Sequence, residues 1–166
     1  MGFRTGLHNI FIPQTEMKNK KKFKAEQYFF RKGEKLDSDL PKTYLSKPTV
    51  ISKGDSVWPE IAVLLEFKDK GYKGVWVDAF HKKFWINQKD KVELNELPSG
   101  IKEILEDGVK GCWDLILWKG RVVKFIELKG IPSNDKIRES QIKFRDNLLK
   151  KGFDYNDFSI LEWDYK

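Results

Sequence analysis

Apolar and polar residues alternate in residues 56–166 with the periods of short helices and strands. Pro59 to Lys70 has the pattern of a helix, with Pro at its first position and Gly71 behind it. A second helix is expected from Ser133 or Asn134, either of which can cap it, to about Lys150. The other predicted elements are strands over 74–80, 83–87 and 158–163 and a short helix over 100–108. This order predicts an α/β fold with a mixed central sheet flanked by helices.

The segment GCWDLILWKGRVVKFIELKG, residues 111–130, has the pattern of two apolar strands joined by a tight turn. Taking Lys119 and Gly120 as a two-residue turn places Asp114 opposite Phe125 and diagonal to Glu127. Because side chains alternate along a strand, Asp114, Glu127 and Lys129 are then expected on one face. A charge among apolar residues needs a partner, and pairing, a metal ion and solvent are the options. Two carboxylates that converge on one point favour a shared divalent cation.

Composition narrows the class of metal and of protein. The chain has 166 residues, one cysteine (Cys112) and two histidines that lie far apart, which excludes the usual zinc motifs and leaves an oxygen-liganded ion. No signal peptide is evident, and the longest aliphatic run, IAVLL, is far shorter than the ~20 residues of a membrane span. We therefore expect an intracellular protein, cytoplasmic or nucleoid-associated, with no membrane association.

Most of the net charge of +7 lies in residues 18–35, which hold eight Lys or Arg and two Glu with aromatic residues between them. Such a segment is typical of contact with nucleic acid, and Lys20, Lys21, Lys22 and Lys24 are its candidate contacts. A solvated arm that only aids solubility would look the same. Residues 1–55 lack a sustained period, so they are expected to form a basic arm or extension to a domain over 56–166.

Three further polar residues interrupt apolar stripes. Glu60 shares a helical stripe with Val63, Leu64 and Phe67, although an acid in a first turn can also be solvated and favoured by the helix dipole. Gln141 interrupts the stripe of Ile137, Phe144 and Leu148, and a buried amide with satisfied hydrogen bonds would explain its position. With Arg138 and Arg145 at i−3 and i+4, the same helix could instead offer donors to a phosphate. Asp78, within an apolar strand, is a reserve candidate.

The motif WDLILWKGRVVKFIELKG, followed by ESQIKF and preceded by a helix that starts with PE, resembles a known nuclease family. It is similar to the virus-type replication-repair nuclease domain, a branch of the PD-(D/E)XK nucleases, over about Pro59 to Trp163. The resemblance implies a restriction-endonuclease-like αβββαβ core. It also implies five catalytic residues: Glu60, Asp114, Glu127, Lys129 and Gln141.

The chemistry implied by this resemblance is hydrolysis of phosphodiester bonds of DNA, with Mg²⁺ or Mn²⁺ as the cofactor. Asp114, Glu127, Glu60 and the backbone carbonyl of Leu128 would hold the cation, and Lys129 would act on the attacking water and the phosphate charge. Arg138 and Arg145 would contact phosphates. No small-molecule cofactor is expected, and a homodimer is left open. The rival interpretation is a non-catalytic nucleic-acid-binding module with a degenerate nuclease fold.

Overall fold

A mixed seven-stranded sheet forms the centre of the structure, a computed structural model that describes residues 25–36 and 39–166. Its strands, in spatial order, are β1 (Ala25–Phe30), β9 (Phe158–Tyr165), β8 (Val122–Gly130), β7 (Leu115–Lys119), β4 (Lys73–Asp78), β5 (Lys83–Trp85) and β6 (Lys91–Val92). β1 and β8 each run parallel to β9, and the remaining neighbours are antiparallel. A separate hairpin is made of β2 (Val50–Ser52) and β3 (Asp55–Val57).

Helices cover both faces of the sheet. The helices are α1 (Lys42–Leu45), α2 (Pro59–Asp69), α3 (Ser99–Glu106) and α4 (Glu139–Lys150), with short 3₁₀ turns at Leu94–Glu96 and Tyr155–Asp157. Residues of α2 share one apolar core with Leu115, Leu117 and Leu128 of the sheet, whereas α3 and α4 share the other core with Ile116 and Phe125. The central strands are buried on both faces, and this explains why the hairpin sequence is apolar throughout. The expected α/β fold with a mixed sheet is confirmed.

The main helices and strands lie close to their predicted positions, with one clear exception. α2 begins at Pro59 as expected, but α4 begins at Glu139 and not near Ser133 or Asn134. Ser133 donates its hydroxyl hydrogen bond to the carbonyl of Gly130, and Asn134 has a left-handed backbone with φ 49°. Both residues belong to the turns that follow β8, so the predicted cap was wrong.

The register of the β7–β8 hairpin also differs from the prediction. Lys119 pairs with Val122, so the turn consists of Gly120 and Arg121, and Gly120 takes the positive φ of 57°. The expected pairing of Asp114 with Phe125 is wrong, because Phe125 pairs with Ile116. The shift moves the partner of Asp114 by two residues, so the face is unchanged. Continued beyond Leu115 and Ile126, the register brings Asp114 opposite Glu127 itself.

The described part of the predicted arm packs against the rest of the chain. β1 is an edge strand of the main sheet, and Val50 and Val57 of the small hairpin are buried in the core formed with α2. The candidate contacts Lys20, Lys21, Lys22 and Lys24 lie outside the described residues. In residues 25–36 and 39–166, no helix is long and apolar enough to cross a membrane.

The long segment between β4 and β7 does not separate these two strands. β5 and β6 continue the sheet beyond β4 on its outer side, and α3 packs on one face, so that β4 still pairs directly with β7. The elements packed around the β7–β8 hairpin therefore follow one another as α2, β4, β7, β8, α4 and β9. This arrangement brings the end of β4, the start of β7 and the carboxyl-terminal part of β8 to one end of the sheet.

Candidate functional site

Asp114 and Glu127 are held together by two reciprocal hydrogen bonds where β7 meets β8. The backbone N–H of Asp114 donates to Oε2 of Glu127 at 3.0 Å, and the backbone N–H of Leu128 donates to Oδ2 of Asp114 at 2.9 Å. Each carboxylate therefore accepts a main-chain hydrogen bond from the strand that carries the other. Asp114 also lies in a bend, and its carbonyl accepts the N–H of Val77 from β4 at 2.7 Å. The two acids are fixed by the backbone of three strands.

Glu127, Lys129 and Gln141 form a closed polar network beneath α4. Nζ of Lys129 lies 2.8 Å from Oε1 of Glu127 and donates to Oε1 of Gln141 at 3.2 Å. Nε2 of Gln141 donates to Oε1 of Glu127. The three side chains are 2, 6 and 1% exposed in the order Glu127, Lys129 and Gln141. A charge pair this deeply buried is tolerable only because each member has a hydrogen-bond partner.

The start of α4 is held by a local hydrogen bond and by close contacts with residues 111–113, which lead into β7. The indole Nε1 of Trp113 donates to the carbonyl of Gln141 at 2.9 Å, and the N–H of Arg138 donates to the Gln141 side chain at 2.9 Å. Gly111 has φ 75°, and a Cβ there would lie 2.3 Å from the carbonyl oxygen of Ser140. Only glycine fits such an approach, so residues 111–113 fix the position of Gln141 over β8.

Glu60 reaches the same end of the sheet from α2 and is bound by a lysine that the sequence analysis missed. Oε1 of Glu60 accepts from Nζ of Lys47 at 2.8 Å, and Oε2 is buried without a hydrogen-bond partner among the described residues. The Lys47 ammonium also lies 5.0 Å from the ring centroid of Trp76. Lys47 precedes Pro48 in an irregular region, and no periodic pattern could have pointed to it.

The pKa values of these groups show that the carboxylates are crowded. Loss of hydration, followed by the charges of Glu127 and Glu60, raises the pKa of Asp114 well above its usual range. Burial raises the pKa of Glu127, and the nearby Lys129 offsets only part of this effect. Burial lowers the pKa of Lys47, but the carboxylates of Glu60, Asp114 and Asp78 outweigh it and leave that pKa raised. Lys47 is therefore a tethered counter-ion to three acids.

Asp78, the reserve candidate, is occupied by a second network next to Lys47. Its carboxylate accepts hydrogen bonds from the hydroxyl of Tyr44 and from the His81 side chain, whose Nδ1 lies 2.7 Å from Oδ2. With Nδ1 as the donor, Nε2 accepts from the Thr43 hydroxyl at 2.8 Å. Burial and the hydrogen bond to Asp78 raise the pKa of the Tyr44 phenol. Asp78 serves to hold the chain after β4 against α1.

The two arginines predicted to contact phosphates lie in different environments, one exposed and one buried. Arg138 is exposed just before α4 and beside the Gln141 network, where a phosphate could reach it. Arg145 is only 1% exposed, stacks 5.3 Å from the ring centroid of Tyr155 and pairs with Asp146. Its guanidinium faces the protein interior, so this placement does not support the expected phosphate contact.

The side-chain oxygen donors at this end of the sheet are carboxylates, the ligands that a hard divalent cation prefers. In residues 25–36 and 39–166, no group of three or more His, Cys, Asp and Glu side chains is arranged to hold a metal ion. Asp114 and the unpartnered Oε2 of Glu60 are nevertheless carboxylate donors close enough for one to raise the pKa of the other. An acid-only donor set of this kind fits a hard cation such as Mg²⁺ or Mn²⁺.

Comparisons of the chain with protein-family models, with curated proteins and with solved structures gave no match. The function therefore has to be argued from the residues and geometry of this site.

The raised pKa values of Asp114 and Glu127 predict how the metal-free protein responds to pH. A carboxyl group whose pKa is higher in the folded than in the unfolded state binds its proton more tightly in the native state. It therefore stabilises the native state fully below the unfolded pKa of about 4, and this stabilisation is lost as the pH rises through the folded pKa. The free energy of unfolding should therefore fall across this window, by about 1.4 kcal/mol for each unit by which a pKa is raised. Asp114→Asn should show a shallower fall and be at least as stable as wild type at neutral pH.

Urea unfolding in chelator at several pH values measures this. Asp69→Asn, at the far and exposed end of α2, is the matched control and should retain the wild-type slope. If Asp114→Asn is instead strongly destabilised at neutral pH, Asp114 is an ordinary ion-pair partner, and repulsion from Glu127 and Glu60 does not destabilise the native state.

Proposed function

We propose that this protein is a metal-dependent nuclease that hydrolyses phosphodiester bonds of DNA, related to the virus-type replication-repair branch of the PD-(D/E)XK nucleases. The observation that carries the proposal is the buried network of Glu127, Lys129 and Gln141 with Asp114 bound beside it. The order α2, β4, β7, β8, α4 and β9, with those four strands adjacent in the sheet, supports a restriction-endonuclease-like αβββαβ core. A DNA substrate is consistent with a cytoplasmic or nucleoid-associated protein.

Each residue has a chemical task under this proposal. Asp114, Glu127, Glu60 and the carbonyl of Leu128 would hold Mg²⁺ or Mn²⁺, which supplies a Lewis acid and an activated water when bound. Lys129 orients the attacking water and stabilises the negative charge that develops on the phosphate. Gln141 fixes the rotamer of Lys129 by accepting its hydrogen bond. Arg138, exposed beside this group, binds a flanking phosphate.

Lys47 adds a step that the sequence motif does not contain. Its ammonium neutralises Glu60 and, through space, Asp114 and Asp78, so the acids are stable together before a metal ion binds. Under this proposal Lys47 would be a second positive charge near the metal ligands and could contribute to binding the substrate phosphate.

The same ion pair also favours the rival function, a non-catalytic nucleic-acid-binding module. With Lys47 on Glu60 and no three-acid metal group among the described residues, the acidic cluster could be purely structural. Catalysis and metal response separate the two functions.

The first test is cleavage by Lys129→Met, which keeps the aliphatic stem and removes the charge. Plasmid, single-stranded DNA and RNA are each incubated with Mg²⁺, Mn²⁺ or chelator. Because Lys129 acts on the transition state, kcat should fall by ~10² or more while substrate affinity changes little, in protein that its melting curve shows to be folded without the ion-pair partner of Glu127. Lys124→Met, at the other end of the same strand, should cleave as wild type does. Wild-type rates in Lys129→Met would contradict the assignment, and an inactive wild type would favour the binding module.

The second test is thermal stability with Mg²⁺ or Mn²⁺. A cation that binds only the native state at a hundredfold excess over Kd adds ~2.7 kcal/mol, which corresponds to a rise in Tm of roughly 5–10 °C for a chain of this length. Asp114→Asn should lose most of this rise, and the exposed-acid control Asp69→Asn should keep it. A wild-type Tm that ignores both ions would refute the metal site.

The third test addresses the basic segment. Replacing Lys20, Lys21, Lys22 and Lys24 by Gln should weaken binding to all DNA sequences alike, and each lost phosphate contact should reduce the slope of log K against log salt by about 0.9. The matched control replaces Lys70, Lys73, Lys119 and Arg121, which are exposed at the sheet end opposite the site. Equal slopes for the two variants would show that the segment serves solubility only.

A further inference from the structure

The loop between β4 and β5 exposes a phenylalanine to solvent. Phe80 is 81% exposed, the highest value among the large apolar side chains of the described residues, where only Phe29 and Ile131 are also exposed. An isolated aromatic ring in water contributes nothing to the core. Single exposed apolar residues are common on protein surfaces, so the case for a ligand depends on where this ring lies and on what surrounds it.

This loop lies at the same end of the sheet as the candidate site. Val77 donates its N–H to the carbonyl of Asp114, and the loop begins just beyond the next residue, Asp78. Neighbouring strands are about 5 Å apart, so Phe80 leaves the sheet one strand away from Asp114. A ligand that extends over a few nucleotides from Asp114 could reach the loop that carries Phe80.

The protein holds the base of this loop rigidly. His81 donates from its backbone N–H to Oδ1 of Asp78 at 3.2 Å and from its ring to Oδ2, and the ring stacks on Tyr44 at 4.0 Å. The ring of Phe80 in turn packs edge-on against His81, with centroids 4.8 Å apart. A preordered aromatic ring loses little conformational entropy when a ligand binds to it.

The surroundings of Phe80 indicate an anionic ligand with a flat apolar part. Lys82 in this loop, Lys83 at the start of β5 and Lys42 on α1 are exposed, whereas the buried Asp78 carboxylate is held by hydrogen bonds from Tyr44 and His81. One ring among lysines does not form the contiguous apolar patch that marks many protein-binding surfaces. It does match a nucleotide, since stacking on aromatic rings combined with cationic contacts is how single strands are bound.

We propose that Phe80 is a stacking platform for an unpaired base next to the scissile phosphate. The inference rests on the proposed function and narrows its substrate class. A continuous duplex has no free base face to offer, so the preferred substrate is DNA with an unpaired nucleotide at the site: a single strand, a frayed end or a branch.

The experiment measures affinity in chelator, where no cleavage occurs, by fluorescence anisotropy with a single strand, a splayed duplex and a fully paired duplex. Phe80→Ala should lose roughly 5- to 100-fold in affinity for the first two and little for the paired duplex. Phe80→Trp should retain or improve binding. Tyr72→Ala, an aromatic residue at the opposite end of β4, is the control and should bind as wild type does.

A scan of single abasic sites through the oligonucleotide then locates the stacked base. At that position the abasic substitution and Phe80→Ala should not be additive, because each removes the same contact. Additivity at every position, or an equal loss on all three substrates, would overturn the platform. A wild-type protein that binds DNA normally while Phe80→Ala is unaffected would overturn only this inference, whereas a wild type that binds no nucleic acid would overturn the proposed function with it.

Discussion

The pairing of Lys129 with Glu127 inside the sheet is the interaction on which the rest of the site depends. Both groups are nearly excluded from water, where an unpaired charge would cost several kcal/mol. Gln141 completes the pair by donating to one member and accepting from the other. The position of α4, and the glycine at 111 that lets the chain approach it, follow from the need to bring this amide over β8.

A second ion pair, between Lys47 and Glu60, approaches the same acids from the α2 side of the sheet. Asp114 and Glu127 are joined through main-chain hydrogen bonds, and the charge of Lys47, which pairs with Glu60, offsets a small part of the raised pKa of Asp114. The two lysines approach the acids from different parts of the chain, one from the hairpin and one from the irregular region before α2. The site therefore joins both apolar cores, and its geometry is sensitive to the packing of each.

The periodic parts of the chain were predictable and the irregular parts were not. The helix that begins at Pro59 and the shared face of Asp114, Glu127 and Lys129 followed from local patterns, which depend on residues within a few positions of each other. The turn was misplaced by one residue because both Lys119-Gly120 and Gly120-Arg121 satisfy the same glycine rule. Lys47, the parallel pairing of β1 with β9 and the burial of Arg145 depend on contacts distant in sequence, and no local pattern encodes them.

The attachment of Lys47 to Glu60 would separate folding from metal binding in the proposed nuclease. A site made only of acids would repel itself until an ion arrived, and the protein would depend on metal supply to reach its native state. Here a covalently tethered ammonium occupies the role of that ion from the moment the chain folds. A divalent ion of the kind proposed would have to compete with this internal cation, and its apparent affinity would be scaled down to the fraction of molecules in which Lys47 is disengaged. The metal concentration that the proposed nuclease needs would then depend on this one side chain.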